Sequence, residues 1–311
     1  MRPPLRFPTS LRAVLAWHVP LVLILLTYCA AVNASDARLV ADGLKFPEGT
    51  VFAGPTLYFV DYATSSVNRI AQGSVQRVWQ RDGCGANGLA VVPGGLLVAC
   101  YDEGTVVTIS RDGETKAVVR QDDAGRRFTS PNDFALDSRG GVYFSDSGSA
   151  SASGGVYFRS ADGRIRRVAR STRYANGLAV APRGDTLYVA ESAASHLLAY
   201  PIGADGGLGS PREFARLDAL LSAPGQAAFT PDGVRIDRRG NLFVGLYRGG
   251  GIAVLSDDGK LRKYIGLPGT HHANLALSPD GRTIYVTSAD DVADGDYRGS
   301  LLAIQNPFAS D

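Results

Sequence analysis

The sequence is poor in the residues that bind zinc and has little net charge of either sign. It contains three cysteines and four histidines in 311 residues, and none of them recurs at the spacing of a zinc site. Its 32 lysines and arginines nearly balance its 30 aspartates and glutamates. Because a protein that binds nucleic acid normally carries an excess of basic residues, this composition argues against a nucleic-acid partner.

Helix-forming sequence is also scarce. Methionine occurs once, and amphipathic stretches long enough for a helix are hard to find. Glycine is abundant, at 37 residues, and it separates many short apolar runs. Many glycines between short apolar runs are typical of an all-β protein with tight turns.

The first 34 residues have the pattern of a secretory signal peptide. Three arginines precede an uncharged stretch over residues 13–34, which has an apolar centre at residues 21–26 and ends in small residues. We therefore expect residues 1–34 to be cleaved and residues 35–311 to form a soluble, exported domain, secreted or periplasmic in a bacterial host. Two alternatives remain open at this stage: an uncleaved membrane anchor, because the stretch is somewhat long, and lipid attachment at Cys29.

Cleavage of this signal would leave two cysteines, Cys84 and Cys100. Export would place them in an oxidising compartment, where disulfides form and persist. The sequence leaves two possibilities open, a disulfide between them or two buried thiols on neighbouring strands.

An internal repeat decides the fold class. A glycine- or asparagine-rich turn, an apolar strand, a short turn and a second strand with a polar end recur six times. The second strands cover residues 56–61, 96–102, 141–146, 186–191, 241–246 and 283–288. Five units continue into a fourth strand, whereas the sixth ends without one, and residues 37–42 form a strand that belongs to no unit. The pattern predicts an all-β, six-bladed β-propeller over residues 35–311, in which the N-terminal strand closes the last blade.

One polar residue begins the first strand of every unit. Innermost propeller strands surround the central channel, so these residues should form a ring at one mouth. The ring consists of Glu48, Asn87, Asn132, Asn176, Asp232 and Asn274. Any single Asn-Gly or Asp-Gly pair could simply mark a turn. Six oxygen-bearing side chains in register, with no lysine or arginine among them, instead predict a bound cation: calcium is favoured, with magnesium, manganese and zinc as alternatives.

These segments resemble the SMP-30/gluconolactonase/LRE-like (regucalcin-like) family, in particular its bacterial gluconolactonases. The resemblance is carried in order by residues 48–52 with 57–61, 130–133 with 142–146, 176–179 with 187–191, and 231–234 with 240–243. It implies metal ligands at Glu48, Asn176 and Asp232, a metal or substrate contact at Asn132, and a proton acceptor at Asp232. Two departures stand out: Thr50 replaces the proline usual in the family, and the serine- and glycine-rich segment 147–155, expected at the substrate mouth, replaces a different loop.

We expect a metal-dependent hydrolase that opens a small-molecule lactone and acts as a monomer. A cation can polarise the ester carbonyl and hold a water, and Asp232 is the candidate catalytic base. No Gly-x-Ser-x-Gly elbow is present, which argues against a serine nucleophile. We expect Asn87, Asn132, Asn274 and His272 to contact the substrate. Three alternatives remain: a metal-dependent arylesterase or organophosphate hydrolase, a non-catalytic calcium-binding propeller, and an exported interaction scaffold. The acidic ring argues against the scaffold, because a protein that only binds other proteins would have no need of it.

Overall fold

The computed structural model describes residues 36–171, 173–221, 228–290 and 296–309. The predicted signal segment lies outside them. The described residues form 24 strands in six four-stranded antiparallel sheets. Within these ranges no helix combines the length and the apolar character needed to cross a bilayer.

Each sheet is one blade, and the first three blades follow the chain order. Blade one contains β2 (Pro47–Ala53), β3 (Thr56–Asp61), β4 (Ser66–Ala71) and β5 (Ser74–Gln80). Blade two contains β6 (Ala86–Val92), β7 (Gly95–Cys100), β8 (Thr105–Ile109) and β9 (Thr115–Val119). Blade three contains β10 (Pro131–Leu136), β11 (Val142–Gly148), β12 (Ser153–Arg159) and β13 (Ile165–Ser171).

The remaining blades complete the circle. Blade four contains β14 (Ala175–Val180), β15 (Thr186–Glu191), β16 (His196–Pro201) and β17 (Arg212–Arg216). A 3-10 turn (Ser192–Ala194) follows β15, and helix α1 (Leu217–Leu221) follows β17. Blade five contains β18 (Thr230–Ile236), β19 (Leu242–Tyr247), β20 (Gly251–Leu255) and β21 (Leu261–Gly266). Blade six contains β22 (Leu275–Leu277), β23 (Thr283–Asp290), β24 (Arg298–Gln305) and β1 (Arg38–Leu44).

The N-terminal strand closes the last blade, as the repeat predicts. Strand β1 pairs antiparallel with β24, with Arg38 opposite Ala303 and Leu44 opposite Gly299. Blade six is therefore made from both ends of the propeller domain. Pairing the first strand with the last leaves no open seam in the circle of blades.

The core lies between neighbouring blades. Alternate residues of β3 pack in opposite directions: Leu57 and Phe59 pack against apolar residues of blade six, whereas Tyr58 and Val60 pack against blade two. Because blades cover both faces of each inner sheet, these strands are apolar runs rather than alternating patterns. The rigid blade-to-blade packing fixes where each innermost strand meets the channel.

The innermost strands form a closed ring around the channel. Strands β2, β6, β10, β14, β18 and β22 each contact the next, and β22 contacts β2. Glycine permits this close approach: a Cβ on Gly49 would overlap the carbonyl oxygen of Asn87, and one on Gly88 would overlap that of Asn132. Five of the six strands also carry a register shift where the polar residue of each repeat stands. Such bulges redirect side chains, and here they lie at the mouth of the channel.

Cys84 and Cys100 form a disulfide, which decides between the two possibilities that the sequence left open. Cys100 ends β7 opposite Ala86, and Cys84 lies two residues before Ala86 in the turn that leads into β6. Both cysteines are fully buried. The bridge therefore ties the entrance of the innermost strand of blade two to the strand beside it.

Removal of β1 should destabilise the propeller, because β24 would become an open edge. A chain beginning at Gly43 should melt several degrees below one beginning at Ser35. About 2–4 °C is expected for each kcal/mol lost in a domain of this size. Thermal unfolding followed by circular dichroism measures the difference. Equal melting temperatures for the two chains would contradict the closure.

Candidate functional site

A cavity of about 500 Å³ opens at one mouth of the channel. Five of the six predicted ring residues line it: Glu48, Asn87, Asn132, Asn176 and Asp232. The rest of the wall is mainly aromatic. Its other lining residues are Phe46, Tyr62, Tyr101, Tyr174, Ser192, Ala193, Thr230, Tyr247 and Tyr297.

Hydrogen bonds orient the amide of Asn132. Its Nδ2 donates to Ser147 Oγ at 3.1 Å, and its Oδ1 accepts from Asn87 Nδ2 at 3.2 Å. Ser147 Oγ in turn donates to the carbonyl of Ala175 in the next blade, at 2.9 Å. The amide oxygens of this part of the ring are thus held in place by an inter-blade relay.

Asn176 repeats the relay one blade further on, but its oxygen has no partner. Its Nδ2 donates to Ser192 Oγ at 3.2 Å, and Ser192 Oγ donates to the carbonyl of Pro231 at 2.6 Å. Asn176 Oδ1 is buried and accepts no hydrogen bond from the described residues. A buried carbonyl oxygen without a donor is costly and needs an explanation.

Two buried carboxyl groups share the same cavity. Glu48 is 3% exposed and Asp232 is 9% exposed. Burial, followed by the negative charge of Asp133, raises the pKa of Asp232 to about 8, with the nearby Asn176 amide opposing the shift. Burial first, and then the charges of Asp232 and Asp133, raise the pKa of Glu48 well above its usual range. Neither carboxyl group has a cationic side chain as its hydrogen-bond partner among the described residues.

The sequence analysis missed a third carboxylate, Asp133, and its partner, Arg235. Arg235 Nη1 lies 2.8 Å from Asp133 Oδ2, and the side chain of Asp133 is 1% exposed. Arg235 Nη2 also donates to Asn274 Oδ1 at 3.0 Å. If all these groups are ionised, three carboxylates and one guanidinium leave two negative charges uncompensated at the channel mouth.

A signal for both residues is present in the repeats. One position after the ring residue, four units have glycine and blade three has Asp133. Three positions after it, blades two, three and four have alanine, whereas blade five has Arg235. Alignment of the repeats could have revealed both residues, because each is charged at a position that holds glycine or an apolar residue in the other repeats.

Two predicted substrate contacts, Asn274 and His272, lie outside the described lining of the cavity. Asn274 does not line the cavity, because its Oδ1 accepts hydrogen bonds from Arg235 and from the main chain and hydroxyl of Thr50. His272 is completely buried, and its Nε2 lies 3.0 Å from the carbonyl oxygen of Pro268. Burial lowers the pKa of His272 to about 4, so the ring stays neutral near pH 7.

The segment 147–155 does not edge the cavity either. Strands β11 and β12 continue into it as far as Gly148 and Ser153. Only residues 149–152 remain as a turn, which the main-chain bond from Ser149 to Ala152 closes at 2.8 Å. Within the described part of this segment, Ser147 is the residue that contacts the polar ring, because its hydroxyl accepts a hydrogen bond from Asn132.

The donor set of the cavity fits a hard divalent cation. Within the described ranges, no three histidine, cysteine, aspartate or glutamate side chains cluster as a metal site. The available donors are instead two carboxylates and the amide oxygens of Asn132 and Asn176, one of them without a partner. Carboxylate and carbonyl oxygens are what calcium and magnesium prefer. A cation would offset the two negative charges and give Asn176 Oδ1 a partner.

Fold and site together define a six-bladed propeller with an acidic site at one mouth of its channel. The SMP-30/Gluconolactonase/LRE-like region model matches residues 46–290. The chain therefore belongs to this family, as the resemblance in the repeats predicted.

Individual relatives agree with this assignment. The chain is 31% identical to a gluconolactonase from Zymomonas mobilis over 224 residues, which are 67% of this chain and 62% of the relative. It is 25% identical to the diisopropyl-fluorophosphatase of Loligo vulgaris over 82% of this chain and 89% of that protein. The structure of a gluconolactonase from Xanthomonas campestris superposes with a TM-score of 0.72 at 26% identity, over 87% of this chain and 89% of that one.

The metal-free protein should lose stability as the pH rises, because the pKa of Asp232 is higher in the folded than in the unfolded state. Below about pH 4 the carboxyl group is protonated in both states, and its contribution to stability is fully present. The contribution falls above that pH and is lost as the pH passes the folded pKa of about 8. Asp232→Asn removes the titration.

Denaturant unfolding of EDTA-treated protein between pH 5 and 9 tests this directly. The free energy of unfolding of the wild type should fall relative to that of Asp232→Asn across the range. The difference between the two free energies of unfolding cancels the contributions of groups that titrate alike in both proteins. A constant difference, or one that moves in favour of the wild type, would show that Asp232 ionises without cost.

Proposed function

We propose that this protein is an exported, metal-dependent hydrolase that opens lactones. The observation that carries the proposal is the buried Oδ1 of Asn176, which accepts no hydrogen bond from the described residues and lies in the same cavity as two buried carboxyl groups of raised pKa. Family membership and the gluconolactonase relatives support the reaction class.

Glu48, Asn176 and Asp232 would hold the cation, with Asn132 as a further oxygen donor. Calcium fits this oxygen set best, and magnesium or manganese are the alternatives. When bound, the cation supplies Lewis acidity toward an ester carbonyl and its attacking water. Ser147 and Ser192 hold the amide nitrogens of Asn132 and Asn176 through hydrogen bonds, so the amide oxygens are not used in these two bonds.

Asp232 is the residue that we propose as the general base. Its carboxylate lines the cavity, where it can take a proton from a water that attacks the lactone carbonyl. The same carboxylate is a proposed ligand, so the two roles compete for its oxygens. Hydrolysis converts the neutral lactone into a carboxylate. Repulsion between this product and the buried carboxylates favours its release.

A covalent mechanism has less support. Ser192 is a serine in the described lining, but its hydroxyl donates to the carbonyl of Pro231. No histidine contributes to the lining among the described residues, so the serine–histidine pair of a covalent hydrolase is not found there. Hydrolysis by water is the mechanism that these contacts favour.

The export proposal has two independent supports. Residues 1–34 have the order of basic, apolar and small residues that signals show. The Cys84–Cys100 disulfide is of the kind that persists in oxidising compartments. We propose secretion or a periplasmic location, with the membrane anchor as the alternative.

Hydrolysis of an organophosphate at a phosphorus–fluorine bond is the second candidate reaction, because the chain is 25% identical to the diisopropyl-fluorophosphatase of Loligo vulgaris. The same cavity would serve both reactions. Release of acid from diisopropyl fluorophosphate, compared with release from δ-valerolactone and glucono-δ-lactone at one metal concentration, separates them.

Substitutions at the two carboxyl groups should have different consequences. Glu48→Gln keeps the size of the side chain but removes one formal charge, so metal affinity should fall and lactone turnover should recover in part at high calcium. Asp232→Asn also removes the proposed base, so turnover should stay about 10²–10⁴-fold below wild type at saturating calcium. Asn87→Ala, which leaves the proposed ligands intact, should lower turnover less than either.

Calcium titration calorimetry and a pH-indicator assay on the same samples make the comparison. EDTA should abolish turnover of the wild type, and calcium should restore it. Full turnover by calcium-saturated Asp232→Asn would assign Asp232 a ligand role alone. Turnover that persists in EDTA would contradict the metal-dependent mechanism.

A further inference from the structure

Six aromatic side chains form the outer wall of the cavity. We call this set the aromatic collar, and its members are Phe46, Tyr62, Tyr101, Tyr174, Tyr247 and Tyr297. They come from the entrances and exits of strands in five different blades. The described lining contains no lysine, arginine or histidine, so above the acidic floor the wall is mainly aromatic.

The rings of the collar touch one another. Phe46 lies with its centroid 4.8 Å from Tyr297, 6.0 Å from Tyr62 and 6.4 Å from Tyr247. The series continues from Tyr62 to Tyr101 at 6.2 Å, and from Tyr101 to Tyr174 at 6.5 Å. Contacting aromatic rings hold one another in position, so the collar offers a preformed apolar surface.

The collar ends at a strained residue. Tyr174 has a φ of 65°, in the left-handed region that residues with a bulky side chain rarely adopt. Its hydroxyl lies 2.7 Å from that of Tyr101, and its side chain remains 38% exposed. Backbone strain of this kind persists at functional sites where the surrounding contacts hold it. Here it keeps a partly exposed ring in the wall of the cavity.

Part of the hydrogen-bonding capacity of the cavity is already used within the protein. Tyr101 and Tyr174 share one hydrogen bond, and the Tyr62 hydroxyl donates to Asp102 at 2.9 Å. On the floor, the amide nitrogens of the three asparagines donate to Asn132, Ser147 and Ser192. A sugar hydroxyl directed at these groups would have to displace a hydrogen bond that the protein already makes, at a cost in binding.

We propose that the cavity takes a lactone or ester with a flat, apolar substituent, such as a phenyl group, in preference to a polyhydroxylated sugar lactone. The substituent packs against the aromatic collar while the ester group lies at the acidic floor. The proposal rests on the proposed lactone hydrolysis, and it adds the substrate class.

Three lactones with the same six-membered ring test the preference. They are δ-valerolactone, its 6-phenyl derivative and glucono-δ-lactone, each assayed with calcium-saturated protein. The phenyl compound should have the highest kcat/KM, about 10-fold above δ-valerolactone, since aromatic packing adds to the burial of the ring. Glucono-δ-lactone should be the poorest of the three. A ranking with glucono-δ-lactone first would overturn the proposal and leave lactone hydrolysis intact.

Three variants separate the aromatic surface from the tyrosine hydroxyl. Tyr101→Leu should reduce the preference for phenyl over unsubstituted lactone by about 3–10-fold, the range expected for one aromatic contact. Tyr101→Phe, which keeps the ring, should retain the preference. Tyr264→Leu is the matched control, because Tyr264 lies on the outer strand of blade five and does not line the cavity. Equal loss in all three variants would contradict a role of the collar.

Lactams resist hydrolysis, so their binding tests the preference for a phenyl substituent separately from lactone hydrolysis. If none of the three lactones turns over, the proposed function fails, and calorimetry with 6-phenyl-2-piperidone and 2-piperidone still tests the cavity. Tighter binding of the phenyl lactam, weakened by Tyr101→Leu, supports the preference. Equal binding of the two lactams overturns it.

Discussion

Negative charge buried at the mouth of the channel is the constraint on which the site depends. Burial and the charges of Asp232 and Asp133 raise the pKa of Glu48, and burial and the charge of Asp133 raise that of Asp232. Within the described residues, Arg235 is the cation that pairs with Asp133. Carboxylates this deeply buried must take up protons, pair with a cation or destabilise the fold. A divalent cation would satisfy the two remaining charges and the orphaned oxygen of Asn176 together.

The propeller makes this crowding tolerable because every blade holds its neighbours. Pairing of β1 with β24 completes blade six, and the bulges at the entrances of the inner strands place polar side chains at one mouth. Arg235 ties blade five to Asp133 of blade three and to Asn274 of blade six. The same residues thus balance charge and join blades across the axis, so the site and the fold are stabilised by shared contacts.

Repeats made most of this architecture predictable. Strand β1 could be assigned to blade six because one unit lacked a strand, and five ring residues do meet in one cavity. Repeats say less about residues that differ between blades. Asp133 and Arg235 occupy positions that hold glycine or an apolar residue in the other blades, and the direction of their side chains depends on the bulges. His272 was misplaced because sequence alone does not show that the chain after β21 is buried. The aromatic collar was missed although Phe46 and Tyr174 each stand two positions before a ring residue, and Tyr62 and Tyr101 each fourteen positions after one.

Calcium binding to EDTA-stripped protein tests the charge balance most directly. Calorimetry with the wild type should show one calcium ion bound per chain, with a rise in melting temperature. The double variant Glu48→Gln/Asp232→Asn, which removes both uncompensated charges, should bind none and should not melt higher when calcium is added. Unchanged binding in the double variant, or no binding of calcium, magnesium or manganese by the wild type, would contradict the account.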